Sequence, residues 1–172
     1  MDWPDYAFCY SRPGNYLNLM STTRVAQHIN APRSAVFRAL IDAKSVQQWM
    51  VPDGMTSEIH AFEPREGGAY RISLTYDSTD HAGKSSAHTD THGGRFVKLV
   101  PDREVIQTTE FETSDPSMQG EMRMTFTLAD APGGGTQLTG LHENVPPGVP
   151  PEANEEGWRM SLAKLAKLVE GR

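Results

Sequence analysis

Thiols are almost absent from this chain: Cys9 is the one cysteine in 172 residues. A lone thiol excludes an internal disulfide framework and any multi-thiolate zinc or iron–sulfur centre. It suits a reducing cytoplasm. Long apolar runs are missing too, and none approaches the ~20 residues that cross a bilayer. The N-terminus, Met1-Asp2-Trp3-Pro4-Asp5-Tyr6, has no basic segment leading into an apolar core, so no secretory signal is read there. Basic charge is scarce: Lys plus Arg number 16 against 22 Asp plus Glu, a net charge of −6. Without a basic stripe the chain is not read as a nucleic-acid binder. No segment repeats with a period of 20–50 residues, which excludes solenoids and propellers.

What is present is strand alternation followed by one helical stripe. Residues 20–29 read as a strand with Val25 and Ile29 on one face. Asn30-Ala31-Pro32 is expected to open a helix with Asn30 as its N-cap, and a second short helix is expected over Lys44–Trp49. Strands are expected at Ser57–Glu63, Ala69–Tyr76, Thr91–Val100, Glu104–Thr113, Gly120–Leu128 and Thr136–Glu143, with 77–90 as a mobile polar loop. In the last segment, Trp158, Leu162, Leu165 and Val169 recur at steps of four, three and four and share one helix face. Two short helices after the first strand and a long helix at the end define an α+β helix-grip fold, a curved antiparallel sheet wrapped round the C-terminal helix. One domain is expected over 20–172. Residues 1–19 are expected to be a loosely ordered extension, with Met20 a candidate start.

Specific residues carry a family resemblance. Ala31-Pro32-Arg33-Ser34-Ala35-Val36-Phe37-Arg38-Ala39-Leu40, with Trp49 and Pro52, resembles the entry helices of the START-like (SRPBCC, Bet v-like) superfamily. The segments Glu63–Tyr70, Gly94–Pro101 and Gly135–Thr139, with Gly157-Trp158, Leu162 and Leu165, resemble its branch named after the activator of the heat-shock protein 90 ATPase, in C-terminal-domain form. The resemblance covers about residues 21–170 in order. It implies a seven-stranded sheet gripping the last helix around an apolar cavity. The naming co-chaperone has a further N-terminal domain where this chain has a short extension. Bacterial-type single-domain relatives are described mostly as ligand-binding or of unknown role, and some members of the wider superfamily are polyketide cyclases.

The inward faces supply the candidate lining: Phe37, Trp49, Tyr70, Ile72, Leu74, Tyr76, Met122, Met124, Phe126, Leu138, His142, Trp158 and Leu162. The plain reading of each apolar member is core; the functional one is pocket wall, since both use the same residue types. Gly157 inside a helix costs roughly 1 kcal/mol relative to alanine, so a close approach of the sheet or a ligand is expected there. His142 shares a face with Leu138 and Gly140 and is read as a ligand-orienting or proton-moving group, against a plain structural histidine. His28 and His60 are weaker cases. His81, His88, Asp90 and His92 cluster in sequence, but their spacing matches no zinc pattern, and a solvated loop is the default.

No catalytic residue, cofactor or metal is assigned. Ser34 and Ser161 lack a nucleophile-elbow context. The leading expectation is non-covalent binding of a small hydrophobic or amphipathic molecule. The alternatives are a cyclase-like or hydrolase-like enzyme using a pocket His or Tyr, and a co-chaperone-type interaction module showing a large exposed apolar patch. Homodimerisation through a sheet edge stays open.

Overall fold

A computed structural model describes residues 20–171. The expected extension, residues 1–19 with Cys9, lies outside the described residues. Seven strands form one antiparallel sheet in the order β1-β7-β6-β5-β4-β3-β2. They are β1 (Ser21–Ile29), β2 (Met55–Phe62), β3 (Ala69–Tyr76), β4 (Thr89–Val100), β5 (Glu104–Phe111), β6 (Met122–Asp130) and β7 (Thr136–Val145). Helices α1 (Arg33–Leu40) and α2 (Ala43–Trp49) carry the chain between the two outer strands, β1 and β2. A 3-10 turn, Pro116–Met118, precedes β6, and α3 (Pro151–Glu170) ends the fold.

The helix-grip arrangement is therefore as expected, with shifts at element ends. The first helix begins after Pro32, whose extended backbone (φ −67°, ψ 151°) makes it the N-cap in place of Asn30. A proline disfavours helical geometry in the residue before it, so Ala31 cannot belong to the helix. The Asn30 amide instead donates to Glu170 Oε1 at 2.7 Å, tying the start of this connection to the end of α3. For α2 the cap is a side chain: Asp42 accepts from the Ser45 amide at 2.8 Å. Helix α3 begins six residues earlier than Gly157. Pro151 occupies its first turn and Glu152 lies beside the positive end of its dipole.

The core forms where the helices press on the concave face of the sheet. Helix α3 packs on β1, α2 and α1. Leu162, Leu165, Ala166 and Val169 on α3 meet Val25 and Ile29 of β1, Val36, Phe37 and Leu40 of α1, and Trp49 of α2. All of these are buried. The Trp49 indole donates to the Ala39 carbonyl at 2.9 Å and meets the Phe126 ring edge-on, with centroids 6.2 Å apart. The buried Leu residues sit in the C-terminal half of α3. Its N-terminal half, from Pro151 to about Trp158, has no fully buried residue, and the site lies there.

Candidate functional site

Between the N-terminal half of α3 and the concave faces of β3–β6 is a cavity of about 510 Å³. That lies within the roughly 300–1,000 Å³ span of small-molecule sites. Its mouth is marked by the exposed Asp53, His81, Pro150, Ala153 and Glu156. The cavity exists because α3 docks through its C-terminal half while strands β3 to β5 curl away beneath the other half.

Strand alternation positions the wall. Leu74 and Tyr76 come from β3, Asp90 and His92 from β4, Thr109 and Phe111 from β5, and Met122 and Met124 from β6. His142 comes from β7 and is the cross-strand neighbour of Met124. Asn154, Gly157, Trp158 and Ser161 complete the helix side. Of the thirteen residues expected at a pocket, Leu74, Tyr76, Met122, Met124, His142 and Trp158 border this cavity. Phe126 borders a separate void of about 10 Å³ beside Val25 and Trp158, room for one water at most. Phe37, Trp49, Tyr70, Ile72, Leu138 and Leu162 lie in the core, where the helices close on the sheet.

Gly157 borders the cavity, but the sheet does not approach it. A Cβ there would meet only Pro52 Cγ, at 3.7 Å, an ordinary contact. The expected close approach is absent because α3 stands off the sheet at this point.

His142 is the polar centre of the helix side. Trp158 Nε1–H donates to its Nδ1 at 3.2 Å, and Asn154 Nδ2 lies 3.1 Å from the same atom. The His142 and Trp158 rings are almost perpendicular, with centroids 5.9 Å apart. The other ring nitrogen, Nε2, is buried with no partner. Burial pushes the His142 pKa down to about 4, and the nearby His92 adds to this. Asn154 opposes the shift only if its amide oxygen faces the ring. The indole N–H, a donor with no acceptor function, already requires a lone pair on Nδ1, so the amide nitrogen faces it instead.

The opposite wall holds a buried ion pair. Lys84 Nζ donates to Asp90, whose side chain is 4% exposed, and lies 5.5 Å from the Phe111 ring centre. This pair comes from the segment expected to be a mobile loop. Instead, 77–88 folds back on β4: Ser85 Oγ donates to the Thr91 carbonyl at 2.8 Å, and the Tyr76 and His81 rings stack 5.2 Å apart. Strand β4 thus begins at Thr89, and Asp90 and His92 belong to it. Burial pushes His92 down to about 4, with the Asp90 carboxylate pulling the other way. Among the described residues, no three His, Cys, Asp or Glu converge to hold a metal ion. His81 meets His88 only through its backbone carbonyl, 2.8 Å from His88 Nδ1.

His92, Asn154, Lys84 and Asp90 are site residues that the sequence reading did not place at the pocket. For His92 the signal was available, since it falls four residues before buried Phe96 on one face of β4. Asn154 fell outside a helix expected to start at Gly157. His28 is exposed near the Gly134 carbonyl (3.1 Å), and His60 bonds Ser73 Oγ at 2.8 Å; neither borders the cavity.

The seven-stranded antiparallel sheet closed by a C-terminal helix places the molecule among helix-grip α+β proteins. Residues 30–170 match the family described as Activator of Hsp90 ATPase homolog 1-like protein, and the chain belongs to that family. A solved structure from Chromobacterium violaceum is 31% identical, covers 87% of this chain and 98% of its own, and superposes with a TM-score of 0.75. A Rhodobacter sphaeroides protein (19% identical, 87% and 92% covered, TM-score 0.71) and one from Arthrobacter aurescens (14%, 88% and 87%, 0.69) share the fold. No functionally curated protein matches the chain.

Proposed function

We propose that this protein binds a small apolar or amphipathic molecule, non-covalently, in the space beneath the N-terminal half of α3. The observation that carries this reading is the cavity of about 510 Å³, walled by Leu74, Phe111, Met122, Met124 and Trp158, with buried polar groups (Asp90, His92, Thr109, His142 and Ser161) set among them. Burying apolar ligand surface supplies affinity at roughly 25 cal/mol per Å², and the polar groups set orientation. Met122 and Met124 add an adaptable wall.

Two observations weigh against the other readings. A co-chaperone-type surface calls for a broad exposed apolar patch, yet among the described residues the large exposed hydrophobics are Met20 and Val97 alone. For an acid–base enzyme the residues read from the sequence are His142 and a pocket tyrosine. The His142 lone pair is occupied by Trp158 and Asn154. The Tyr70 hydroxyl donates to the Thr108 carbonyl at 2.8 Å, away from the cavity, and burial raises its pKa.

Native mass spectrometry of the purified protein, with solvent extraction of what it carries, tests the proposal. A stoichiometric apolar molecule retained by the wild type and retained less on Met124→Trp, which pushes a larger ring into the cavity, is the expected result. Equal retention by both proteins, or no uptake of any neutral aromatic probe by the emptied wild type, would overturn it.

A further inference from the structure

We infer that Met55 and Met160, at the rim of the cavity, form a reversible oxidation site: oxygen transfer to their sulfurs makes the protein release its apolar ligand. This rests on the cavity being a ligand site.

Thioethers are gathered here. Five of the chain's eight methionines border the one space: Met50 at the end of α2, Met55 on β2, Met122 and Met124 on β6, and Met160 on α3. Of these five, only Met50 also belongs to the closed core, which is otherwise built of Val, Ile, Leu, Ala and aromatic side chains. Access differs among the five. Met122, Met124 and Met50 are 2%, 3% and 7% exposed, whereas Met55 and Met160 are half-buried. Met55 follows the exposed Asp53 by two residues, and Met160 lies one helical turn beyond the exposed Glu156; both of those mark the mouth. An oxidant dissolved in water therefore meets Met55 and Met160 before the other three.

The oxidant is a peroxide. One peroxide oxygen bonds to the thioether sulfur, the O–O bond breaks, and the other oxygen leaves as water with both hydrogens. Sulfur gives up two electrons and the peroxide takes them. The product, a sulfoxide, is polar and carries an acceptor oxygen where a soft apolar group stood. Pressed against an apolar ligand, that oxygen loses its water without gaining a donor, and affinity falls. The neighbouring rim carboxylates bring no relief. Asp53 and Glu156 only accept, and they already pair with Lys164 at 2.9 Å and Arg159 at 3.4 Å. Methionine sulfoxide reductases, drawing two electrons from a dithiol, return the thioether and release water, so the change is reversible.

Limited hydrogen peroxide treatment of the full chain, followed by peptide mass mapping and by fluorescence titration with the neutral probe N-phenyl-1-naphthylamine, tests this. Met55 and Met160 should oxidise before Met50, Met122 and Met124. Probe affinity should fall about fivefold or more as they do, the effect of one buried acceptor left unpaired. Methionine sulfoxide reductases acting on both sulfoxide epimers should restore it. Met20, 48% exposed and away from the cavity, is the control: Met20→Leu should lose affinity on oxidation as the wild type does. The double variant Met55→Leu/Met160→Leu, whatever its starting affinity, should hold that affinity to within about twofold through the same treatment. Unchanged wild-type affinity with both rim methionines oxidised, or an equal fall in the double variant, overturns the inference and leaves the cavity reading intact. Oxidation of Met122 or Met124 ahead of the rim pair, or a loss that the reductases do not reverse, overturns it as well. An untreated wild type that does not bind the probe overturns both.

Discussion

His92 and His142 enter the folded protein as neutral rings, so mild acid should weaken the fold before its carboxylates are protonated. Both are 8% exposed, and burial holds both pKa values near 4 against an ordinary 6.5. Above pH 6.5 neither folded nor unfolded chain binds the proton, and the rings contribute no pH dependence. Below it the unfolded chain takes up protons that the folded chain refuses, and stability falls until the folded rings titrate near pH 4. Each pH unit in that window removes about 1.36 kcal/mol per ring. At pH 5 the loss is about 2 kcal/mol per ring and about 4 kcal/mol for the two, a large part of a typical domain's 5–15 kcal/mol. Two carboxylates held low in the fold contribute little over this range. Glu112, held low by Arg71, and Asp115, held low by Ser117, lose their contributions only as pH falls through their ordinary values of 4.5 and 3.8. Urea unfolding followed by circular dichroism at pH 7 and pH 5 reads the effect. The informative quantity is the difference between the two pH values within each protein, so a variant's lower absolute stability does not matter. Wild type should lose about 4 kcal/mol, His92→Gln and His142→Gln about 2 kcal/mol each, and the double variant little. A wild type equally stable at both pH values, or a double variant as acid-sensitive as wild type, would refute the reasoning.

Four substitutions probe the packing. Gly157→Ala should stabilise the protein by roughly 0.5–1 kcal/mol in thermal or urea unfolding, because helix propensity improves and the new methyl meets only Pro52 Cγ, at 3.7 Å. Leu165→Ala, at a fully buried contact between α3 and the core, should cost about 2–5 kcal/mol. Met124→Ala, beside the open cavity, should cost less than Leu165→Ala in the same assay, since fewer packed neighbours are lost. Thr136→Val should cost about 1–3 kcal/mol, because the buried Ala31 carbonyl loses the hydroxyl that donates to it at 2.7 Å.

Where the local pattern was strong, sequence and structure agree closely. Strand β3 is Ala69–Tyr76 in both, because Tyr70, Ile72, Leu74 and Tyr76 alternate with polar residues without interruption. The buried α3 residues Leu162, Leu165 and Val169 were legible from their spacing. Disagreement came where the controlling interaction is distant or subtle. Asn30 resembles an N-cap in isolation, but Pro32 displaced the helix start and Glu170, 140 residues on, took the Asn30 amide. Lys84, Asp90 and Ser85 read as a solvated loop because nothing nearby in sequence shows that they fold against β4 and Phe111.

The sequence by itself determined the order of elements, the inward faces of β1, β3, β6 and β7, and the family. All three follow from periodicities of two and 3.6 residues and from short ordered motifs. The tertiary structure alone decided which inward residues are core and which are wall. Tyr70 and Tyr76 share one strand face, yet Tyr70 is packed within the core while Tyr76 borders the cavity. The difference is which half of α3 lies opposite, and that depends on how one rigid helix meets a curved sheet. The state of His142 was settled in the same way. Its alternation placed it inside, but only the approach of Trp158 and Asn154 from α3 assigns its proton to Nε2.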